Sequence, residues 1–287
     1  DKISKNLLNY LRLTDKDKSS HWDELLKNQI INIKNLNKNF GFGSFENKKF
    51  IRSILHFILS RYLFGTDIFK TKEFKGYFEI FNNYNRQIDV DVIRHIFTFK
   101  LLKSREINPG KICVIGDGKA NFVIGSYLNF PKAKIYSVNL AETLLHDYYL
   151  LKHFNIFNES EIKVVNKKED LYEEAKLYLI PSSEKNLIKN FDIELFINMV
   201  SFQEMKFEEI EKYFTIIKSN NHPYLYCCNR EEKILLGGER LRFRDYPWGD
   251  AKKIFDEECS WHQRYYRFRF PFIKKYDGKI LHSLIKF

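Results

Sequence analysis

Two rhythms divide the chain. Up to about residue 105, apolar side chains recur at three- and four-residue intervals. That spacing predicts helices near 3–12, 20–32, 47–64 and 89–104, the last with Val92, Ile96, Phe99 and Leu102 on one face. Polar or glycine-containing breaks such as Asn39-Phe40-Gly41-Phe42-Gly43 separate them, and Asn108-Pro109-Gly110 closes the region with a turn. From Lys111 the rhythm changes. Short β-rich apolar runs at 111–115, 134–138, 176–180, 192–198 and 223–228 alternate with helical patterns at 119–130, 141–154, 184–190 and 205–218. Repeated strand–helix units predict a parallel sheet covered by helices on both faces. The tail departs from this, because extended runs at 265–274 and 279–286 flank Tyr276-Asp277-Gly278, a hairpin-like turn. The expected architecture is therefore α/β: a Rossmann-like mixed sheet of seven strands with an antiparallel last strand, preceded by a helical region. Residues 1–105 would form a lid, a dimerisation element or a substrate cap. Residues 106–287 would form the main domain, with a substrate-shaping insertion at about 230–263.

With 287 residues, 44% of them hydrophobic and 16% aromatic, the chain can bury a large core, which excludes a disordered class. No internal period suggests a solenoid or propeller. The net charge of +11 raises nucleic acid, an anionic surface or a phosphorylated substrate. Lysine is spread along the whole chain, however, and only Arg240, Arg242, Arg244 and Arg264, Arg267, Arg269 cluster. No nucleic-acid-binding signature accompanies the charge, so nucleic acid is not expected as a partner. The four cysteines, Cys113, Cys227, Cys228 and Cys259, form no Cys-x-x-Cys pair and read as buried free thiols in a reducing compartment rather than a disulfide frame or a zinc site. The sequence as it stands shows no cleavable leader and no run of 18 uncharged apolar residues, so a cytoplasmic chain is expected. Its first residue is Asp1 rather than Met, as in a piece of a longer chain. The stretch Phe50 to Phe64 comes nearest to a membrane segment, but Arg52, His56 and Arg61 interrupt it. It reads as an amphipathic core helix, with at most peripheral membrane contact.

The run Lys111 to Asn121 breaks at Gly116-Asp117-Gly118 and enters a helix. This is the strand–turn–helix arrangement that aims backbone N–H groups at a nucleotide. Asn139 ends the next strand about 20 positions on, where such folds bind a ribose hydroxyl. After the fourth strand, Asn198-Met199-Val200-Ser201-Phe202-Gln203-Glu204-Met205 falls at the mouth of the expected cleft; Ser201-x-x-Glu204 also fits a helix capping box. In the insertion, Arg230, Asp245-Tyr246-Pro247-Trp248 and Trp261-His262-Gln263-Arg264 combine aromatic faces with hydrogen-bonding groups. A sugar site needs that combination, and an aromatic packing lid displays it equally.

Taken together, Gly116-Asp117-Gly118, Val138 to Leu144, Ser201 to Met205, Tyr226 to Arg230, Asp245 to Trp248 and Trp261-His262-Gln263 resemble the sugar O-methyltransferases of bacterial surface polysaccharide loci, over roughly residue 90 to the C-terminus. The resemblance implies a class I fold binding S-adenosylmethionine, with S-adenosylhomocysteine as product, and transfer to a hydroxyl of a capsule or lipopolysaccharide sugar or its nucleotide-linked precursor. The cofactor contacts it implies are Gly116, Asp117 and Gly118, then Asn139 and Leu140, Pro181 and Ser182, and Asn198, Ser201 and Phe202. The acceptor contacts would be Gln203, Arg230, Tyr246, Trp248, Trp261, Gln263 and Arg264. His262 is the first candidate general base and Glu204 the second, because an imidazole takes a proton near neutral pH. Asp245 would orient the histidine, bond a second hydroxyl or hold a divalent cation, although no spacing argues for a metal. The chain departs from the family's pattern at Val114, Ala120 and Asn139, where the family has an acid, a glycine and an aspartate. Losing one charge-assisted bond at Asn139 predicts cofactor binding weaker by about 1–2 kcal/mol, roughly tenfold. A catalytically impaired, methyltransferase-like scaffold in glycan assembly, its helical region packing on partners or forming a homodimer, is the competing expectation; an RNA methyltransferase ranks below both.

Overall fold

The computed structural model describes residues 1–11, 19 and 50–287. Seven α-helices are described: α1 (Lys2–Tyr10), α2 (Phe50–Phe64), α3 (Lys72–Asn83), α4 (Val90–Ser104), α5 (Asn121–Asn129), α6 (Ala141–His153) and α7 (Phe207–Lys218). The helix expected at 20–32 and the break at Asn39–Gly43 lie outside the described residues. The main sheet strands are β1 (Lys111–Ile115), β2 (Lys134–Asn139), β3 (Ile162–Val164), β4 (Leu177–Pro181), β5 (Leu195–Met199), β6 (Tyr224–Arg230), β9 (Lys252–Glu258) and β12 (Ile280–Lys286). They run in the order β3-β4-β2-β1-β5-β6-β12-β9. The first six are parallel to one another, and β12 is antiparallel to both β6 and β9.

The sheet thus has eight strands, not the seven expected from the sequence. The short β3 adds an edge, and β9 comes from within the expected insertion. The tail hairpin is also re-partnered. Within the run 265–274 only small pieces pair: β10 (Arg264–Tyr266) with β11 (Ile273–Lys275), in a separate two-stranded sheet. β12 is buried on both faces from Ile280 to Ile285, polar His282 and Ser283 included. Its main-chain groups, cut off from water, need a partner on each edge, and β6 and β9 supply them. A second small sheet joins β7 (Glu232–Ile234) to β8 (Arg240–Arg242). The expected helix at 184–190 is a 3-10 turn, Ser182–Ile188.

Side chains alternate across β1. Ile112 and Val114 face a core shared with α3, α4, α5 and α6; Cys113 and Ile115 face a second core with α7. The helical region packs directly on the sheet domain: a Cβ at Gly125 on α5 would fall 2.0 Å from the Tyr77 hydroxyl and 2.2 Å from the Phe99 ring. Glycine there lets α5 approach α3 and α4 closely. Among the described residues, no helix is long and apolar enough to cross a membrane.

Candidate functional site

The carboxyl ends of β1, β5 and β6 meet at a cavity of about 330 Å³, roofed by α4 and by residues of the C-terminal tail. Its floor is the turn after β1. Gly116 adopts φ +77°, and the space a Cβ would take is filled by the Ser201 side chain, whose Oγ would lie 1.9 Å away. Ser201 therefore packs over the glycine and makes no capping bond to the turn that follows, so the expected capping box is absent. The next helix, α7, begins only at Phe207. Asp117 folds back to accept a 2.7 Å bond from the Val123 N–H, occupying the N-terminus of α5 with the chain's own carboxylate. Burial pushes that carboxyl up to about 6, against the pull of the Val123, Phe122 and Lys119 N–H groups and the Arg86 guanidinium. At the third glycine position Ala120 holds φ +52°, the left-handed backbone glycine ordinarily supplies.

The segment after β5 is fixed by a closed amide lattice. Asn198 donates to the Ile115 carbonyl and accepts from the Phe202 N–H and the Asn229 amide. Asn229 accepts from the Gln203 N–H, and Gln203 accepts from the Arg230 N–H. Val200, a β-branched residue, is held at φ +60° with its N–H bonded to the Cys228 carbonyl at 2.7 Å. Such a conformation persists only where surroundings impose it. This lattice brings Glu204 to the cleft with Arg230 and Lys233 nearby. Burial raises its carboxyl to about 7 even though both cations pull the other way.

The opposite wall is built from α4 and the turn at 259–263. Arg94 is a buried residue of α4 that the sequence reading missed, since its helix was read only for its apolar face. It pairs with Asp91 at 2.9 Å and donates to the carbonyls of Trp261, His262 and Arg264, tying the turn to the helix. His262 lines the cleft, while its Nδ1 faces the Cys259 Sγ at 3.4 Å. Burial lowers its pKa, outweighing the upward pull of the neighbouring Cys259 sulfur. Burial raises the Cys259 thiol, but hydrogen bonds with Cys228, His262 and His282 overcome this and bring it down to about 3; Cys228 moves up. Tyr276 completes this wall, with the Arg230 guanidinium 5.2 Å over its ring.

Several expected site residues stand elsewhere. Asp245 is exposed and outside the cleft, on a short turn between β8 and β9, so it neither meets His262 nor faces a ligand there. Tyr246 and Trp248 pack with Phe202, Phe214 and Phe243 in the second core, which places them and Phe202 among packing residues. Gln263 clamps the chain: it donates to the Gly278 carbonyl at 2.7 Å and accepts from the Ile280 N–H at 2.9 Å. Trp261 stacks on Phe97, and with exposed Arg264 it lines a separate surface hollow. Gly116, Asp117, Gly118, Ser201, Gln203, Glu204, Arg230 and His262 are brought together. Asn198 lies beneath them as framework.

Asn139, Leu140, Pro181 and Ser182 sit beside the cleft at the tips of β2 and β4, which pair Asn139 with Pro181. There the Asn139 Nδ2 and Ser182 Oγ are buried without a hydrogen-bond partner among the described residues. So are the Thr143 hydroxyl and both ring nitrogens of His146 on α6. The Asp147 oxygens lack a hydrogen bond of ordinary geometry, and the Ala120 N–H is the backbone donor that partly offsets the carboxyl's burial. Burial and the nearby Asp117 push the Asp147 carboxyl well above its ordinary range, and burial lowers His146 to about 4. Nothing in the local pattern marks this group, because 141–154 reads only as a helix.

No family model matches the chain, and no curated protein does. Solved structures resemble it in outline. One is the plantazolicin methyltransferase BamL in complex with a triazolic desmethylPZN analog and SAH, at 12% identity and a TM-score of 0.44, covering 82% of this chain and 98% of that one. Another is the N-methyltransferase NodS from Bradyrhizobium japonicum WM9, at 8% identity and a TM-score of 0.44, covering 69% and 96%. A third is a SAM-dependent methyltransferase from Aquifex aeolicus, at 10% identity and a TM-score of 0.38, covering 65% and 87%. At these values the reading of the site rests on its own geometry.

Proposed function

We propose that this chain binds S-adenosylmethionine and methylates a hydroxyl of a sugar carried on a phosphate, such as a nucleotide-linked precursor of a surface glycan. The observation that carries the reading is Glu204. It is a carboxyl held near pH 7, in a cleft at the carboxyl ends of parallel strands, between a glycine turn and a basic wall of Arg230 and Lys233. Orphaned buried donors at the tips of β2 and β4 fit a nucleoside: Asn139 Nδ2 would donate to a ribose hydroxyl, and Ser182 Oγ lies on the adjacent strand tip. The turn Gly116–Gly118 would pass beneath the amino-acid end of the same molecule.

When bound, the cofactor supplies an electrophilic methyl group on a sulfonium. The chain's own part is to deliver a nucleophile in line with it and accept a proton. Glu204 is the group for the proton: near pH 7 it is partly ionised, so it can take up a hydroxyl proton without being too weak a base. His262 borders the same space with its Nδ1 turned to Cys259; burial lowers its basicity, so we assign the base role first to Glu204 and second to the His262 Nε2. Arg230 and Lys233 would hold the acceptor's phosphate, and the Tyr276 ring would cover a sugar face.

The test is a calorimetric titration with S-adenosylmethionine and S-adenosylhomocysteine, followed by S-adenosylhomocysteine release across a panel of nucleotide sugars. Binding by both, with turnover on at least one sugar, is expected. A second reading has its own observation: Ser201 fills the space over Gly116 and Asp117 caps α5, so two features that elsewhere receive a ligand are occupied by the chain. No heat at millimolar ligand would favour that reading, a methyltransferase-like binding protein, over the enzyme.

A further inference from the structure

We infer that Cys228, Cys259 and His262 form a binding site for a thiophilic divalent cation, zinc. The three come from distant parts of the sequence and meet in the first core behind the cleft wall. Their candidate ligand atoms all lie within 4.8 Å of one another, and Cys259 Sγ and His262 Nδ1 are 3.4 Å apart. A tetrahedral zinc with Zn–S of about 2.3 Å and Zn–N of about 2.0 Å sets ligand–ligand edges of roughly 3.5–3.8 Å. The Cys259–His262 edge already matches, and the trio as a whole, within 4.8 Å, would close by at most about 1 Å around an ion.

The framework is stiff. Cys228 lies inside β6, paired on one side with Met199 and on the other with His282. Cys259 and His262 are the ends of a tight Cys-x-x-His turn in which the His262 and Gln263 N–H groups both donate to the Cys259 carbonyl at 3.1 Å. Arg94 secures the turn from outside through three main-chain carbonyls and pairs with Asp91 at 2.9 Å. His282 is engaged with Tyr226 and Glu257 and forms an outer layer. Among the described residues no fourth Cys, His, Asp or Glu atom falls within the same spread. The site therefore has three protein ligands, two thiolates and an imidazole, and a fourth position for water or another small donor. This donor set selects zinc over magnesium or calcium.

Other uses of these thiols fit less well. Both are fully buried and neither lines the cleft, which removes them as nucleophiles toward a substrate there. Plain core thiols need no imidazole beside them. Cys113 and Cys227 illustrate that, since they lie in the second core and belong to no such cluster. A Cys228–Cys259 disulfide would leave His262 without a role.

The test does not depend on any methyl transfer. The full chain, purified under reducing conditions and dialysed, is assayed for metal by mass spectrometry, then stripped and reloaded with cobalt(II). About one zinc per chain is expected, with intense thiolate-to-cobalt absorption on reloading. Cys228→Ser and Cys259→Ser should lose both signals; Cys113→Ser should keep them. If the serine variants fail to fold, the wild-type cobalt spectrum still decides. Metal-free protein without cobalt bands overturns the site. So does a titration of unfolded, unreduced protein that finds two reactive thiols rather than the four present in the sequence.

Discussion

The two flanks of the cleft contain similar residue types in opposite states. On the side of β5, β6 and the tail, the buried amides are hydrogen-bonded: Asn198 and Gln263 each bridge main-chain groups, Asn229 links the Gln203 N–H to Asn198, and Gln203 accepts from the Arg230 N–H. Trp261 Nε1 is the exception, while Tyr246 and Trp248 are packed among other rings. On the side of β2, β4 and α6, Asn139, Thr143, His146 and Ser182 keep buried polar atoms without partners among the described residues. An unpaired buried polar atom costs about 1–3 kcal/mol, so a saturated flank behaves as scaffold and an unsaturated one is kept for something that binds. Residues that look chemical in a sequence can thus be the frame, and the ligand-facing polarity can sit on a helix that looks ordinary.

The sharpest way to break this contrast is Tyr246→Ala. If the ring is scaffold, the variant loses about 3–5 kcal/mol of stability in urea melts, while affinity for S-adenosylhomocysteine stays within about twofold. An affinity loss out of proportion to a modest change in stability would return Tyr246 to the site.

Glu204 lies on the boundary between the flanks and gives a pH signature. Its pKa is raised from 4.5 to about 7 in the folded protein, so the folded state binds the proton more tightly than the unfolded state. Its stabilising contribution is complete below about pH 4.5 and is lost as pH rises through 7. The span corresponds to at most about 3 kcal/mol and nearer 2 because the carboxyl is partly exposed. Glu204→Gln should flatten the stability profile between pH 5 and 8. A profile identical to wild type would place this carboxyl in water and remove it as the base.

How much of this was legible in the sequence follows the range of the interactions. The β1 turn, the alternating strands and the position of Glu204 after β5 depend on local periodicity and on one topological rule, and they are where the sequence places them. The pairing of β9 with β12 and the meeting of Cys228 with Cys259 are long-range, and no local pattern encodes them. Helix α3 falls outside the predicted helices although Phe74, Tyr77, Phe78 and Phe81 stand at helical spacing, so its pattern is legible; off that stripe, Gly76 sits 3.3 Å, measured from an ideal Cβ, from Leu128 of α5. Tyr246 and Trp248 were ambiguous for another reason: an aromatic lid and an aromatic sugar platform have the same composition, and only burial tells them apart.

On the unsaturated flank, Asn139→Asp should tighten S-adenosylmethionine binding roughly tenfold, about 1.4 kcal/mol, by replacing a neutral partner for the ribose with a charged one. The new carboxylate can still accept the Leu140 N–H that the Asn139 Oδ1 accepts now at 2.9 Å. Unchanged affinity by calorimetry would mean that the orphaned amide does not face the ligand.

The smallest expected effect tests the floor between the flanks. Ala120 holds φ +52° at the start of α5, a conformation in which a Cβ crowds the following carbonyl. Ala120→Gly removes that crowding, but it also frees the unfolded chain, and the two effects oppose each other. At a left-handed position the relief dominates, giving a gain of about 0.5–1 kcal/mol in urea melts. The side chain is fully buried and makes no polar contact, so no hydrogen bond is lost in exchange. A loss of stability would show that the methyl group's packing in the first core outweighs the backbone strain. The alanine would then be explained as a core residue at a glycine position, and the turn as scaffold continuous with the saturated flank.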